Sequence, residues 1–117
     1  MLDSEDVVRL QHMLDAAQEA QGFVKGKRRS NLENDRMLAL SLIKEIEIIG
    51  EAASRITLST REQCVDIPWM NVVSMRNRLI HGYFDIDLDR IWFTVAEDLP
   101  LLIEALQKIL FVPSDDL

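Results

Sequence analysis

Arg76, Asn77, Arg78, His81 and Tyr83 fall within the eight-residue stretch Arg-Asn-Arg-Leu-Ile-His-Gly-Tyr. Together they offer fixed positive charge, an amide, a titratable imidazole and a phenol. Cleaving a ribonucleic acid phosphodiester without a metal asks for such a set. One group must exchange a proton with the ribose 2′-hydroxyl or the leaving oxygen, positive charge must face the pentavalent phosphorane, and something must orient the backbone. His81 suits the first task, because an unperturbed imidazole titrates near neutrality. Arg76 suits the second, since its fork matches two phosphate oxygens at once. Asn77 can orient His81 or the substrate, and Arg78 adds a second cation for substrate binding.

Spacing brings these groups together if the stretch is helical. At about 100° per residue, Arg76 and Tyr83 return to nearly the same face, and Asn77 and His81 form an i, i+4 pair. Gly82 stands where the helix should end in a left-handed residue, leaving His81 exposed on the last turn. A purely structural reading of the same residues has Arg76 paired with a carboxylate such as Glu47 or Glu51, His81 complementing a helix C-terminus, and Tyr83 packing its ring.

The elements that must position the motif read as helices. Val7, Leu10, Leu14 and Ala17 mark a first amphipathic helix that gives way between Gly22 and Gly26. Ser30 followed by Glu33 reads as a capping box opening a second helix, along which Leu38, Leu42, Ile46, Ile49, Ala53 and Ile56 form a continuous stripe. Gly50 inside that helix costs about 1 kcal/mol relative to Ala, which points to a close approach by another element. The stretch from Thr57 to Ile67 reads as a polar break. Pro68 suits the first turn of a third helix from Trp69 through Val72, Val73 and Arg76 to Ile80. Asp85, Asp87 and Asp89 have the spacing of a calcium loop, but Arg90 stands where glycine is needed and Ala96 where a bidentate Glu is needed. Asp87 is instead the expected N-cap of a fourth helix bearing Ile91, Trp92 and Val95, which Pro100 must kink or restart. No strand is expected. The class is all-α, an up-and-down bundle of four to five helices.

Composition limits what such a bundle can do. The 117 residues suit one domain, 1–117, with a real core, and the 13 Lys and Arg against 20 Asp and Glu give a net charge of −7. Broad electrostatic capture of nucleic acid is disfavoured, so any positive charge must act locally, at Lys25, Lys27, Arg28 and Arg29 or at Arg76 and Arg78. One cysteine, Cys64, permits no intrachain disulfide, and with His12 as the only other histidine no zinc cluster can be assembled from one chain. No cofactor fingerprint is present. The acidic start lacks the basic and apolar regions of a signal peptide, and no apolar run approaches the length of a membrane span, so a cytoplasmic protein without membrane contact is expected.

Arg76, His81 and Tyr83 fit an Rx4HxY pattern, and with it go Leu42 to Ala52 upstream, Ile67-Pro68-Trp69 before the motif and Trp92 after it. In these features the chain resembles the HepT-like branch of the HEPN superfamily over most of its length. The resemblance implies a HEPN-like bundle acting as the metal-independent endoribonuclease toxin of a type VII-like toxin–antitoxin pair. Arg76 and His81 would be catalytic, and a minimal nucleotidyltransferase antitoxin would transfer AMP to Tyr83, placing bulk and negative charge beside Arg76. It also implies a homodimer whose two motifs line one cleft, for which the region of Trp69, Trp92 and the motif is the expected interface. The alternative from a different class is a non-catalytic subunit that presents a nucleotide or substrate to a separate nucleotidyltransferase, and a weaker one is a structural helical adaptor.

Overall fold

A computed structural model describes residues 2–82 and 85–111. The first helix, α1 (Ser4–Phe23), begins where the Asp3 carboxylate accepts the backbone N–H groups of Glu5 and Asp6, satisfying two otherwise orphaned donors. Its buried residues Leu10, Met13, Leu14 and Ala17 recur at three- and four-residue spacing and so share a face. That face lies against α3 (Arg36–Ser54), whose Leu42, Ile46, Ile49 and Ala53 are buried in the same core, and against α7 (Leu99–Leu110). The all-α reading holds.

The start of α3 departs from the expected capping box. Ser30 makes no side-chain cap; a short helix, α2 (Asn31–Asn34), intervenes, and Asp35 accepts the Leu38 N–H at 3.0 Å. Asp35 takes the position because the chain re-enters the helix there, one turn later than the Ser-x-x-Glu pattern suggests. The stretch read as a polar break holds a further helix, α4 (Leu58–Gln63), capped by Thr57 and tied to α1 through Asp6. Thr57 and Thr60 each donate a hydroxyl to Asp6 Oδ2 at 2.6 Å, and the Thr57 N–H reaches Oδ1 at 3.2 Å. Burial alone would raise the Asp6 pKa, but these hydrogen bonds outweigh it and hold the carboxyl below its ordinary range. The sequence here looks like a break because its helix is stapled by a buried carboxylate rather than by an apolar stripe.

Gly50 has the close approach that its position implied. A Cβ there would come 3.2 Å from the Val73 carbonyl oxygen and 3.5 Å from that of Val72, so any other residue would push α5 (Trp69–Val73) a few tenths of an ångström away from α3. The third helix does not continue to Ile80. It stops at Ser74, whose hydroxyl donates back to the Met70 carbonyl at 2.8 Å. A 3₁₀ turn follows over Met75–Arg78, and the chain then forms a small hairpin of β1 (Ile80–His81) and β2 (Asp85–Ile86). Ile80 pairs with Ile86 and His81 with Asp85, and the Asp87 N–H extends the ladder to the Leu79 carbonyl at 2.7 Å. Gly82 does have positive φ, +79°, but in the hairpin connection rather than at a helix end.

From Asp87 the chain is helical almost to its described end. Asp87 caps α6 (Leu88–Phe93) by accepting the Arg90 N–H at 3.0 Å, as expected. A π-helical turn over Thr94–Asp98 separates α6 from α7, and Pro100, which lacks an N–H to donate, lies in the first turn of α7. Gln21 of α1 donates its side-chain amide to the Val95 carbonyl in that widened turn. Among the described residues, no helix is long and apolar enough to cross a membrane.

Candidate functional site

The break at Ser74 changes how the motif residues are presented. On the 3₁₀ turn, Arg76 reaches across to α3, where its Nε donates to Glu47 Oε2 at 2.8 Å. Both side chains are partly exposed, and among the described residues the guanidinium is held through Nε. The hydrogen bond from Arg76 holds the Glu47 carboxyl below the usual carboxylate range, with Lys44 contributing at 3.5 Å. Arg76 thus takes the partner that a structural reading of the sequence offered. Glu51 pairs instead with Arg55, at 3.0 Å.

His81 is exposed on β1, and its partner is a second carboxylate. The His81 Nε2 and Asp87 Oδ2 are 3.1 Å apart, while Asp87 Oδ1 accepts the Arg90 N–H. The Arg90 backbone bond first, and then His81, holds the Asp87 carboxyl below its ordinary range, so Asp87 is an anion at neutral pH. The expected i, i+4 pairing of Asn77 with His81 is not formed, because the helix that would have carried both ends at Val73. Asn77 is exposed on the 3₁₀ turn. Tyr83, the expected modification site, lies outside the described residues.

Arg78 is turned away from Arg76. Its amino groups donate to Ser74 Oγ at 3.3 Å and to the Asn71 carbonyl at 3.2 Å, and it lines a cavity of about 640 Å³ with Arg90, Lys108, Met75 and Leu102. Glu47 lines a different space, a groove of about 810 Å³ between α1 and α3 that also holds Arg9, His12, Lys44 and Arg55. The substrate-binding role expected for Arg78 therefore cannot share one face with Arg76: successive 3₁₀ residues turn by about 120°, which sends the two guanidiniums to different sides. Trp69, expected at an interface, is buried, with its indole N–H donated to the Cys64 carbonyl at 3.1 Å. Trp92 is half-buried against the core. Among the described residues no three His, Cys, Asp or Glu side chains cluster as metal ligands.

Asp87 is the functional candidate that sequence spacing missed. Its capping role is legible, but its meeting with His81, six residues away, depends on a hairpin that no periodicity announces.

A family model described as ribonuclease HepT-like matches residues 13–109. The chain belongs to that family. Membership places it among ribonucleases. Relatives bear this out: the chain is 37% identical over 91 residues to the "Putative RNase" of Methanocaldococcus jannaschii, covering 78% of this chain and 84% of that protein. It is 37% identical over 75 residues to the "Probable ribonuclease HepT" of Thermococcus cleftensis, covering 64% of this chain and 68% of that protein. A third relative, the "Gamma-glutamylcyclotransferase and putative RNase" of Methanocaldococcus jannaschii, is 34% identical over 103 residues; these cover 88% of this chain but only 46% of that longer protein. No solved structure matches this HepT-like chain significantly.

Proposed function

We propose that this HepT-like protein is a metal-independent endoribonuclease in which Arg76 and His81 carry the chemistry. The observation that bears most weight is that the cation and the imidazole are both exposed and each is held by its own carboxylate, Glu47 and Asp87. A guanidinium tethered through Nε keeps its two terminal amino groups free to donate to two phosphate oxygens. His81 takes the proton of the ribose 2′-hydroxyl as O2′ bonds to phosphorus and the P–O5′ bond breaks, leaving a cyclic phosphate and a 5′-hydroxyl that gains its proton from solvent. Asn77, exposed on the 3₁₀ turn, orients the substrate. Arg78 contacts the strand away from the scissile phosphate, in the cavity it shares with Arg90 and Lys108.

The residues 1–117 act as one domain in this reading, and two copies associate so that both motifs line one cleft, since a single motif supplies few groups for the reaction. Trp69 takes no part in that contact. The protein is the toxin of a type VII-like pair in the cytoplasm: a minimal nucleotidyltransferase partner passes AMP from ATP to the Tyr83 phenol oxygen, releasing pyrophosphate. The added negative charge then opposes a substrate phosphate.

The test is cleavage of a single-stranded RNA oligonucleotide of mixed sequence in excess chelator, before and after incubation with ATP and a cognate nucleotidyltransferase. Cleavage in chelator, lost when mass spectrometry finds AMP on the wild type and retained in Tyr83→Phe, supports the reading. Cleavage only with added divalent metal would contradict the mechanism, and AMP found on another residue would contradict the regulation.

A further inference from the structure

The Asp87 carboxylate can only accept hydrogen bonds at neutral pH, so the imidazole nitrogen facing it must carry a hydrogen. That nitrogen is Nε2, 3.1 Å from Asp87 Oδ2. The carboxylate itself is held on every side. Its other oxygen accepts the Arg90 N–H at 3.0 Å, its backbone N–H donates to the Leu79 carbonyl at 2.7 Å, and its carbonyl accepts the Ile91 N–H at 3.0 Å. Asp87 cannot follow the ring if the ring turns, because moving it would uncap α6 and open the end of the hairpin. The His81 side chain is 61% exposed, so the nitrogen not facing Asp87 remains open to a ligand.

We propose that Asp87 is the positioning residue of this site, fixing the His81 ring with hydrogen on Nε2 and leaving Nδ1 as the atom that takes the proton of the ribose 2′-hydroxyl. This rests on the reading of His81 as the group that exchanges a proton with RNA. A rotatable, exposed imidazole divides its time between tautomers and orientations, and only one combination presents a lone pair to the substrate. A fixed acceptor removes that loss, as the buried aspartate does for the histidine of the serine-protease triad, where replacing it with asparagine leaves the geometry but lowers kcat about 10⁴-fold. Asp87 is far less buried, so a smaller effect is expected. The same carboxylate thus joins two jobs, capping α6 and aiming His81.

Asparagine separates the two jobs, because it caps helices about as well as aspartate but can donate to an imidazole as readily as accept from one. In Asp87→Asn, helix content and thermal stability should stay close to wild type, kcat for the RNA oligonucleotide should fall by about 10²-fold with KM little changed, and ¹⁵N spectra of neutral His81 should move from the Nε2–H form toward a tautomer mixture. Asp87→Ser, which keeps the cap and cannot reach the ring, should lose activity similarly. If either variant cleaves at the wild-type rate while His81→Ala is inactive, the positioning role is overturned and the ribonuclease reading stands. If His81→Ala itself remains fully active, both fall. Wild-type His81 found mainly as the Nδ1–H tautomer would overturn the positioning role with no variant needed.

Discussion

Arg76 Nε lies 2.8 Å from Glu47 Oε2, a charge-assisted hydrogen bond spanning 29 residues that ties the 3₁₀ turn of the motif to the longest apolar stripe in the chain. Because both groups are partly exposed, the pair contributes little to stability, about 0.2–1 kcal/mol. Its value lies in where it points the guanidinium. Glu47→Ala should leave the thermal midpoint within a few degrees of wild type yet lower RNA cleavage by about tenfold, because a freed side chain of high rotamer entropy must be ordered again by the substrate. Glu47→Gln, which can still accept from Nε, should fall between the two. Parallel thermal melts and cleavage assays separate position from stability.

Gly50 gives the complementary test, in which the backbone rather than a side chain positions the motif. Replacing it with valine would raise neither hydrogen bonding nor solvation, yet it would push branched carbons into the Val73 and Val72 carbonyls that a single Cβ already meets at 3.2 and 3.5 Å, respectively. Overpacking of this kind costs roughly 1–3 kcal/mol. Chemical denaturation should show a loss in that range for Gly50→Val, with cleavage falling as α5 and the following turn are displaced.

Much of this was legible in the sequence, and the failures share one cause. The helices with an apolar stripe, α1 and α3, and those marked by a cap or a proline, α6 and α7, lie close to where periodicity put them, because a stripe must be buried and a cap must be filled. The Gly50 contact followed from the cost of glycine in a helix. What could not be read was the end of α5. Val72, Val73 and Ile80 keep helical spacing, but the Ser74 hydroxyl bonds back to Met70 and Gly82 accepts a positive φ, and together these turn the next residues into a 3₁₀ turn and a hairpin. Spacing rules assumed one helix through residues that instead lie on a short helix, a 3₁₀ turn and a strand, so the geometry between them differs from the expected one. His81 meets Asp87 rather than Asn77.

A buried acid on α3 sets a pH dependence. Glu45 is only 4% exposed, and burial, with a hydrogen bond shared with Glu19, pushes its pKa up from 4.5 to about 7. The folded protein therefore keeps this proton after the unfolded chain has released it. The neutral acid stabilises the fold fully below pH 4.5, and that contribution declines as the pH rises toward about 7. Glu45→Gln, neutral at every pH, should flatten the decline and melt higher than wild type at pH 8, with a small difference at pH 4.5. Melts across pH 4–8 check the sign: a wild type that gains stability relative to the variant as pH rises would refute it.

The most direct measurement compares wild type, Arg76→Ala and His81→Ala on one RNA oligonucleotide in excess chelator, with circular dichroism confirming that all three are folded. Both side chains are exposed and make one partner bond each among the described residues, so their removal should not unfold the protein. The wild type should cleave, and each variant should lose at least about 10²-fold in rate. Cleavage undiminished in both would contradict it.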